Sequence, residues 1–461
     1  MPTTDRPVTK ADGFAEVLSR GVSRLLFPSH LELLPQVNQV YELELAFLES
    51  HLLTDDEIIR NGAYFAQVGD TLTRHFLMCS GEPVRLPKHS SSRLRLFFKA
   101  NQFKTGYATH GLFPYRGKFH PQMVKGLLNV MGLKPGETVL DPMMGSGTAL
   151  IEARLMGIRS VGIDASPFCR FMTQAKLDAM TVPLAPARAA MEDWPVVYQY
   201  FQTRGAQPTN QSAAKGGDPQ RTLMPLLEPG SRSGQSRQAQ LPEGCHAKEV
   251  RDFLLLAYLD GAGYSQRSSR KAPREQFRAI LERYLFVAEK IQQVLAGIEA
   301  DLAEATALEG DARHLPLDDS SIDGILFSPP YSFAIDYLEN DSFHLDFMGV
   351  DVPGLREKMI GLRGRTLRQK FDLYRRDMDQ VLSECARVLR PGRICAVIVG
   401  TNSNQLSSIL GVAPSTVGGI DEMMVGLASP YGLQLVRKLT RQITGMANTM
   451  RDEHILLLQR H

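Results

Sequence analysis

The sequence predicts an α/β fold built on a mostly parallel, doubly wound sheet. From about Phe103 onward, short apolar runs typical of buried strands alternate with patterns typical of amphipathic helices. The apolar run at 138–140 leads into a glycine-rich turn and a helix, and the next apolar run ends at Asp164. Strand, turn, helix and strand in this order form the unit of a doubly wound sheet.

The elements of this sheet follow one another along the chain, and a final hairpin closes it. Helices are predicted at 122–131, 149–156, 247–259, 276–302 and 378–389, and strands at 138–140, 160–163, 307–308, 322–327 and 394–399. The segments 433–443 and 454–458 are predicted to form a closing antiparallel pair. The apolar stripe of the helix at 276–302 indicates a core position for that helix.

The chain divides into four predicted regions. The first is a helical N-terminal extension, in which Thr54-Asp55-Asp56-Glu57 is typical of a helix start. Next comes the first half of the sheet domain, then an insertion that is partly disordered because 204–245 is rich in Gly, Ser, Gln and Pro, then the second half. The predicted bounds are 1–102, 103–182, 183–275 and 276–461.

Composition places the chain among ordinary globular proteins. It has 461 residues, 43% of them hydrophobic and 22% charged, with a formal net charge of +2. No apolar run approaches the roughly 18 residues that a membrane span needs. The five cysteines show no paired metal spacing and there is no signal-peptide core, so we expect no metal, no membrane and a cytoplasmic location.

The glycine-rich turn, Asp141-Pro142-Met143-Met144-Gly145-Ser146-Gly147-Thr148, is the first candidate binding site. Glycine lets backbone amides face a ligand without a Cβ in the way, and the helix that follows points its amino end at the same place. Asp164 ends the next strand, where a carboxylate can hold ribose hydroxyls. An ordinary tight turn with an N-cap aspartate is the alternative, and the turn alone does not decide between them.

The second candidate site is Ser328-Pro329-Pro330-Tyr331, which follows the predicted strand at 322–327. The two prolines stiffen the loop and leave carbonyl groups free to accept hydrogen bonds. A serine oxygen and a proline carbonyl can hold an exocyclic amine, and Tyr331 can stack on a flipped base. A simple Pro-Pro turn is the alternative, and it is disfavoured by the position of the motif downstream of the glycine turn.

These motifs, in this order, resemble those of the S-adenosylmethionine-dependent amino-methyltransferases of DNA, the N4-cytosine/N6-adenine class. The segments at 115–122, 141–148, 162–164, 310–312 and 328–331 match the family pattern, and the resemblance runs from about Gly106 to the C-terminus except for 182–274. Met143 stands where family members often have Phe. The resemblance implies a Rossmann-like class I methyltransferase fold and S-adenosylmethionine as cofactor.

The resemblance also implies which residues bind and which react. The cofactor would contact Lys118, Phe119, Asp141, Pro142, Gly145, Gly147, Thr148, Asp164 and Asp311, and the target base would contact Ser328, Pro329, Pro330 and Tyr331. A leading Ser in the tetrapeptide leans toward N4 of cytosine. Cytosine C5 chemistry would use a Pro-Cys pair, and none occurs in the chain. The insertion at 183–275 is a candidate target-recognition region.

The basic stretch at 356–376 is the candidate nucleic-acid surface. It lies just beyond the tetrapeptide, interleaves Phe371 and Tyr374, and contributes Arg363, Arg365, Arg368 and Lys370 as expected phosphate contacts. A solvated helix face is the alternative interpretation of such a charge run.

The resemblance implies DNA methylation of the kind found in restriction-modification, with DNA as the partner and RNA as a weaker candidate. Two alternatives stay open. An RNA guanine-N2 methyltransferase shares the glycine turn but usually carries Asp-Pro-Pro-Tyr, and a cofactor-binding subunit without catalysis would keep the fold alone. The sequence does not indicate whether a partner nuclease exists.

Overall fold

The structure of the protein is a computed structural model. It describes residues 25–79, 106–115, 117–205, 240–267, 272–297, 302–330, 336–400, 403–411, 419–443 and 452–461. Within these ranges no helix is both long and apolar enough to cross a membrane.

A seven-stranded sheet organises the fold. Its strands are β4 (Thr138–Asp141), β5 (Arg159–Asp164), β6 (Ala305–Glu309), β7 (Gly324–Phe327), β8 (Ile394–Gly400), β9 (Leu433–Gln442) and β10 (Asp452–Arg460). Their order in space is β6-β5-β4-β7-β8-β10-β9, with β4 to β8 paired in parallel and β10 antiparallel to both of its neighbours. The predicted doubly wound sheet with a closing antiparallel pair is therefore confirmed.

Alternate side chains of the central strands enter two different cores, as a sheet covered on both faces requires. Val139 and Leu326 face the core that also contains α4 (Pro121–Val130) and α5 (Thr148–Leu155). Leu140 and Ile325 face the opposite core with α13 (Leu367–Val388) and α15 (Ile420–Ala428).

The N-terminal region adds both helices and strands. Its helices are α1 (Val40–Leu52), α2 (Asp55–Asn61) and α3 (Arg74–Cys79). The predicted start of α2 is confirmed, since Thr54 and Glu57 form a capping box. A small antiparallel sheet of β1 (Leu31–Leu33), β2 (Phe65–Val68) and β3 (Thr71–Leu72) was not predicted. Strands of two to four residues carry few alternations, and these three lack the strand, turn and helix pattern that marked β4.

The predicted insertion contributes helices to a third hydrophobic cluster. It contains α7 (Leu184–Glu192), α8 (Trp194–Gly205) and α9 (Lys248–Arg267), which pack with α6 (Pro167–Asp178) and α10 (Pro273–Gly297). A buried ion pair joins Asp260 of α9 to Arg283 of α10 at 2.5 Å. Most of the stretch predicted to be a loop or disordered lies outside the described residues, and the role of the insertion in target recognition stays a prediction.

The remaining helices follow β7 in the chain. They are α11 (Tyr337–Phe347), α12 (Val352–Lys358) and α14 (Ser403–Leu410). The helix predicted at 378–389 is the last half of α13, which begins eleven residues earlier at a capping box of Thr366 and Gln369. Basic residues fill its first turns, and they masked the start of its apolar periodicity.

Candidate cofactor and base site

The polar residues singled out from the sequence meet at one edge of the sheet. Asp141 ends β4 and Asp164 ends β5, while Asp311 lies two residues beyond β6 and Ser328 directly follows β7. Parallel pairing sets Asp141 opposite Gly162 and Leu140 opposite Ile325, so these ends lie side by side. Ligands of open parallel sheets bind at this edge.

Both glycines of the turn have a left-handed backbone conformation, and Gly147 also has no room for a side chain. Gly145 and Gly147 have φ of +49° and +74°, which disfavours a side chain at either position. A Cβ on Gly147 would also lie 2.4 Å from Cγ2 of Thr173. Thr173 in turn donates a hydrogen bond to the Gly145 carbonyl at 3.1 Å. The turn is therefore held close to α6, and α5 begins at Thr148 with its amino end at this edge.

The Asp164 carboxylate shapes the turn as well as marking the strand end. Its two oxygens accept hydrogen bonds from the backbone amides of Gly145 and Ser166, both at 2.9 Å. Burial raises the pKa of Asp164 to about 6, although these amide hydrogen bonds act in the opposite direction. The side chain is half-buried, so a ligand can still reach it.

Asp141 is buried with half of its carboxylate unsatisfied. Oδ1 accepts from the Met143 amide at 3.1 Å, whereas Oδ2 is buried with no hydrogen-bond partner among the described residues. Burial raises the pKa of Asp141 to about 8, and the charge of Asp164 adds to the rise. An orphaned carboxylate oxygen is costly, so this site fits a ligand that brings a donor or a positive charge. S-adenosylmethionine carries both.

The remaining predicted residues of the turn support it from within. Pro142 and Thr148 are buried, and the Thr148 hydroxyl lies 3.5 Å from that of Ser146. They are placed to shape the turn, and any contact of their side chains with a cofactor stays a prediction.

The described residues between Tyr107 and Phe119, here called the lead-in segment, are held by hydrogen bonds to α5, the helix that follows the turn. Glu152 of α5 is buried, and its Oε1 accepts a hydrogen bond from the Tyr107 hydroxyl at 2.5 Å and lies 2.7 Å from Nε2 of His110. Lys118 donates to the His110 carbonyl at 2.8 Å, and burial lowers its pKa to about 8. Sequence reasoning missed this cluster, because Glu152 looks like one polar residue in a helical pattern.

Phe119 is half-buried and packs against the core shared with α4 and α5. Its predicted contact with the cofactor stays a prediction. Tyr115 lies nearer the turn, with its hydroxyl 3.4 Å from Sγ of Cys169. The Tyr115 ring stacks on Tyr337 with centroids 6.5 Å apart. Asn340 and Asp341 help to line a small cavity beside these two rings.

Asp311 is paired with an arginine that the sequence analysis did not single out. Arg313 donates from Nε to Oδ1 at 2.9 Å and from Nη2 to Oδ2 at 2.8 Å. Burial acts to raise the pKa of Asp311, but the hydrogen bonds from Arg313 outweigh it and hold that pKa below its usual range. The one sequence signal for this pair was the spacing of Asp311 and Arg313, two residues apart after a strand. The same spacing is also typical of a simple turn.

The structure describes three residues of the tetrapeptide. Ser328 and Pro330 are half-buried and Pro329 is buried, directly after the fully buried strand β7. Tyr331 lies outside the described residues, so its placement stays a prediction.

The basic stretch divides into internal and exposed charges. Phe371 and Tyr374 are 8% and 1% exposed and belong to the core, so the expectation of aromatic rings interleaved on a nucleic-acid surface is wrong. Arg363 pairs with the buried Asp377. Arg368 pairs with Asp372 at 3.3 Å on the surface.

Arg365 is exposed and Lys370 is half-buried. Their role in nucleic-acid binding, like that of Arg363 and Arg368, stays a prediction. Phe371, Tyr374 and Met378 share one face of α13, and packing of the helix on the sheet turns that face inward.

Comparison with known proteins finds similarity to methyltransferases over parts of the chain. Residues 112–206 match the profile of the RMKL-like methyltransferase domain UPF0020. The type II methyltransferase M.BsoBI of Geobacillus stearothermophilus is 24% identical over 301 residues, which are 58% of this chain and 57% of that protein. The type II methyltransferase M.MjaII of Methanocaldococcus jannaschii is 47% identical over 68 residues, 15% of this chain and 13% of that protein.

A shorter match points to an RNA enzyme. The tRNA (guanine(10)-N2)-dimethyltransferase of Methanothermobacter thermautotrophicus is 46% identical over 52 residues, 11% of this chain and 16% of that protein. The chain thus matches little more than half the length of the first relative and far less of the others. These matches support the resemblance recognised from the motifs: part of the chain matches a methyltransferase domain, and part is similar to type II methyltransferases. That relationship also supports S-adenosylmethionine as the cofactor.

Proposed function

We propose that this protein transfers a methyl group from S-adenosylmethionine to an exocyclic amine of a DNA base, with N4 of cytosine as the target. The observation that carries the proposal is the shared edge of the sheet. The glycine turn with the half-satisfied Asp141 lies at the end of β4, and Ser328 lies at the end of the adjacent strand β7.

The acids at the ends of β4 and β5 would hold the cofactor. Asp164 is placed to accept from ribose hydroxyls, and Asp141 offers its unsatisfied oxygen to a donor or positive group. Lys118 and Phe119 on the lead-in segment would complete the site toward the methionine part, and Asp311 would accept from the adenine amine. S-adenosylmethionine supplies a methyl group on a positively charged sulfur.

The tetrapeptide would hold the base. The Ser328 hydroxyl and the Pro329 carbonyl would accept hydrogen bonds from the exocyclic amine, and these contacts direct its lone pair toward the methyl group. Tyr331 would stack on the flipped base. Positioning of the two reactants is the main source of rate acceleration. In ideal geometry it lowers the activation free energy by at most roughly 7–11 kcal/mol.

The choice of DNA and cytosine has separate support. Type II methyltransferases are among the relatives, and the leading Ser328 favours N4 of cytosine over N6 of adenine. The runner-up is an RNA guanine-N2 methyltransferase, favoured by the match to the tRNA (guanine(10)-N2)-dimethyltransferase. Ser328, in place of the Asp usual in those enzymes, argues against it. A subunit that binds cofactor without catalysis is the third candidate.

One experiment separates these candidates. The purified protein is incubated with S-adenosylmethionine labelled in the methyl group and with DNA or tRNA, and the digested nucleosides are identified by mass spectrometry. We expect labelled N4-methylcytosine from DNA. N6-methyladenine would correct the base, methylated guanine from tRNA alone would establish the runner-up, and cofactor binding without any labelled product would establish the third candidate.

A further inference from the structure

A short segment lies beside the tetrapeptide and is paired with the residue that caps the next helix. This segment, 356–363, is here called the bridging segment. Its first residue, Arg356, pairs at 2.8 Å with Asp336, which caps α11 just after the tetrapeptide. Further along, Gly361 has φ of +83°, and a Cβ there would lie 3.8 Å from Cβ of Pro330. The bridging segment therefore lies beside the loop that would carry the target base, with space at Gly361 for no more than a small side chain.

Arg313 connects the bridging segment to the end of β6. Its Nη2 donates to the Lys358 carbonyl at 3.0 Å, and its Nη1 donates to Asp377 at 2.9 Å. Asp377 is 3% exposed and also pairs with Arg363 at the far end of the segment. Together with Asp311, the guanidinium therefore has three partners. Its planar shape fixes the directions of these hydrogen bonds, and a lysine ammonium cannot reproduce that arrangement.

The same guanidinium leaves Asp311 with room for about one further donor. A carboxylate offers about four lone-pair sites. Oδ1 accepts from the Arg313 backbone amide at 3.0 Å and from Nε at 2.9 Å, while Oδ2 accepts from Nη2 at 2.8 Å and, more weakly, from Nε at 3.1 Å. The Asp311 side chain is 37% exposed, so its remaining site can accept from a ligand.

We propose that Arg313 is a positioning residue that aims Asp311 at the amine of the cofactor adenine and, through the bridging segment, ties that contact to the loop at Pro330. This inference rests on the proposed function, in which Asp311 faces the adenine. Arg313 itself touches neither reactant. It holds in place both Asp311, which would accept from the adenine amine, and the bridging segment, which lies beside the tetrapeptide.

The test uses two ligands that differ at one group of the adenine ring. S-adenosylhomocysteine presents an amine to Asp311, whereas S-inosylhomocysteine presents a carbonyl oxygen, which a carboxylate repels. Calorimetry on the full chain measures the ratio of the two affinities. We expect wild type to favour S-adenosylhomocysteine, Arg313→Gln to lower that preference at least about tenfold, and Arg313→Lys to retain part of it.

Arg387 provides a matched control. It also pairs with two acids, Asp319 and Glu384, both at 2.7 Å, but it lies at the end of α13 away from the binding edge. Arg387→Gln should leave the preference unchanged. A preference that stays at the wild-type value in both Arg313 variants would make Arg313 a structural residue only and would overturn the inference.

Other outcomes are equally decisive. Wild-type protein that binds neither ligand would defeat the proposed function itself, and wild-type protein that binds both equally would remove Asp311 from the adenine and the inference with it. If Arg313→Gln does not fold, Arg313→Lys is compared in the background of Asp311→Asn. The lysine substitution should then have no further effect on the preference, and an undiminished effect would overturn the inference.

Discussion

Asp141 and Asp164, at the ends of β4 and β5, are held by backbone amides, whereas Asp311 and Asp377 on the other side of the site are held by arginines. Burial raises the pKa of the first two acids, and the hydrogen bonds from Arg313 keep the pKa of Asp311 low. The acids of the amide-held side therefore lack a positively charged partner without a ligand, while those of the arginine-held side already have one. This difference predicts that ligand binding changes protonation on one side only.

Ser328 lies between the two sides, where the reactants would meet. Its substitution should therefore have the largest effect on the rate of methyl transfer. We expect Ser328→Ala to lower the rate of methyl transfer about a hundredfold, since removal of an acceptor misplaces the amine and small misplacements are costly. Cofactor affinity should stay at the wild-type value. Single-turnover kinetics and calorimetry measure the two quantities separately.

Tyr331→Ala tests the same region from the base side. Removal of the stacking ring should weaken base binding by about 1–3 kcal/mol. Full activity in both Ser328→Ala and Tyr331→Ala would show that the tetrapeptide does not hold the base. A failure of either variant to bind the cofactor would instead place the tetrapeptide on the cofactor side.

On the amide-held side, we expect Asp164→Ala to weaken S-adenosylmethionine binding about ten- to hundredfold, because a charged hydrogen bond contributes roughly 1.5–3 kcal/mol. The Gly145 and Ser166 amides also lose their acceptor, so the turn should loosen while the fold persists. Calorimetry measures the affinity for S-adenosylmethionine, and circular dichroism checks that the variant is folded. Asp178→Ala on α6 is the control, and equal affinities in the two variants would remove Asp164 from the site.

The raised pKa values predict how cofactor affinity depends on pH. A positively charged ligand favours the ionised acids, which in the free protein form only as pH rises through about 6 for Asp164 and about 8 for Asp141. Affinity should therefore rise from about pH 5 to about pH 8, by at most about tenfold per unit for each acid. Asp141→Asn should remove the upper part of the rise. A flat profile would mean that neither the ribose hydroxyls nor the positive groups of the ligand contact an ionised acid.

In the free protein, the same two acids make the free energy of unfolding fall as pH rises, whereas cofactor affinity should increase. The folded state holds protons on these acids that the unfolded chain, with ordinary pKa values, has already released. The contribution of these two acids to the stability of the unliganded protein should therefore fall as pH rises from about 4 to about 8, so Asp141→Asn should gain stability relative to wild type over that range. Denaturant titrations of both proteins at several pH values measure it.

The smallest effect is expected for the exposed charges beyond the arginine-held side. Neutralising Arg365, Arg368 and Lys370 should lower the log–log salt slope of DNA binding by about 0.9 for each phosphate that the variant no longer neutralises, for all sequences alike. Arg363→Gln should behave differently and reduce stability, because it leaves the buried Asp377 with one partner fewer. An unchanged slope in the triple variant would make this surface an ordinary solvated face.

Local patterns in the sequence determined the sheet and the positions of its functional ends. Apolar runs, glycine turns and helical periods arise from neighbouring residues, so Asp141, Asp164 and Ser328 could be placed at strand ends without a structure. The closing hairpin followed in the same way. The resemblance to DNA methyltransferases rested only on these motifs and their order.

Tertiary structure alone decided which charges pair and which rings are buried. The Glu152 cluster joins residues more than forty positions apart, and Arg313 meets Lys358 and Asp377 across a comparable or longer span. Phe371 and Tyr374 stand among basic residues in the sequence but face the core, because the side of α13 that packs inward is set by the sheet beneath it. Long-range contacts depend on how elements pack against one another, and a single sequence carries no local signal for them.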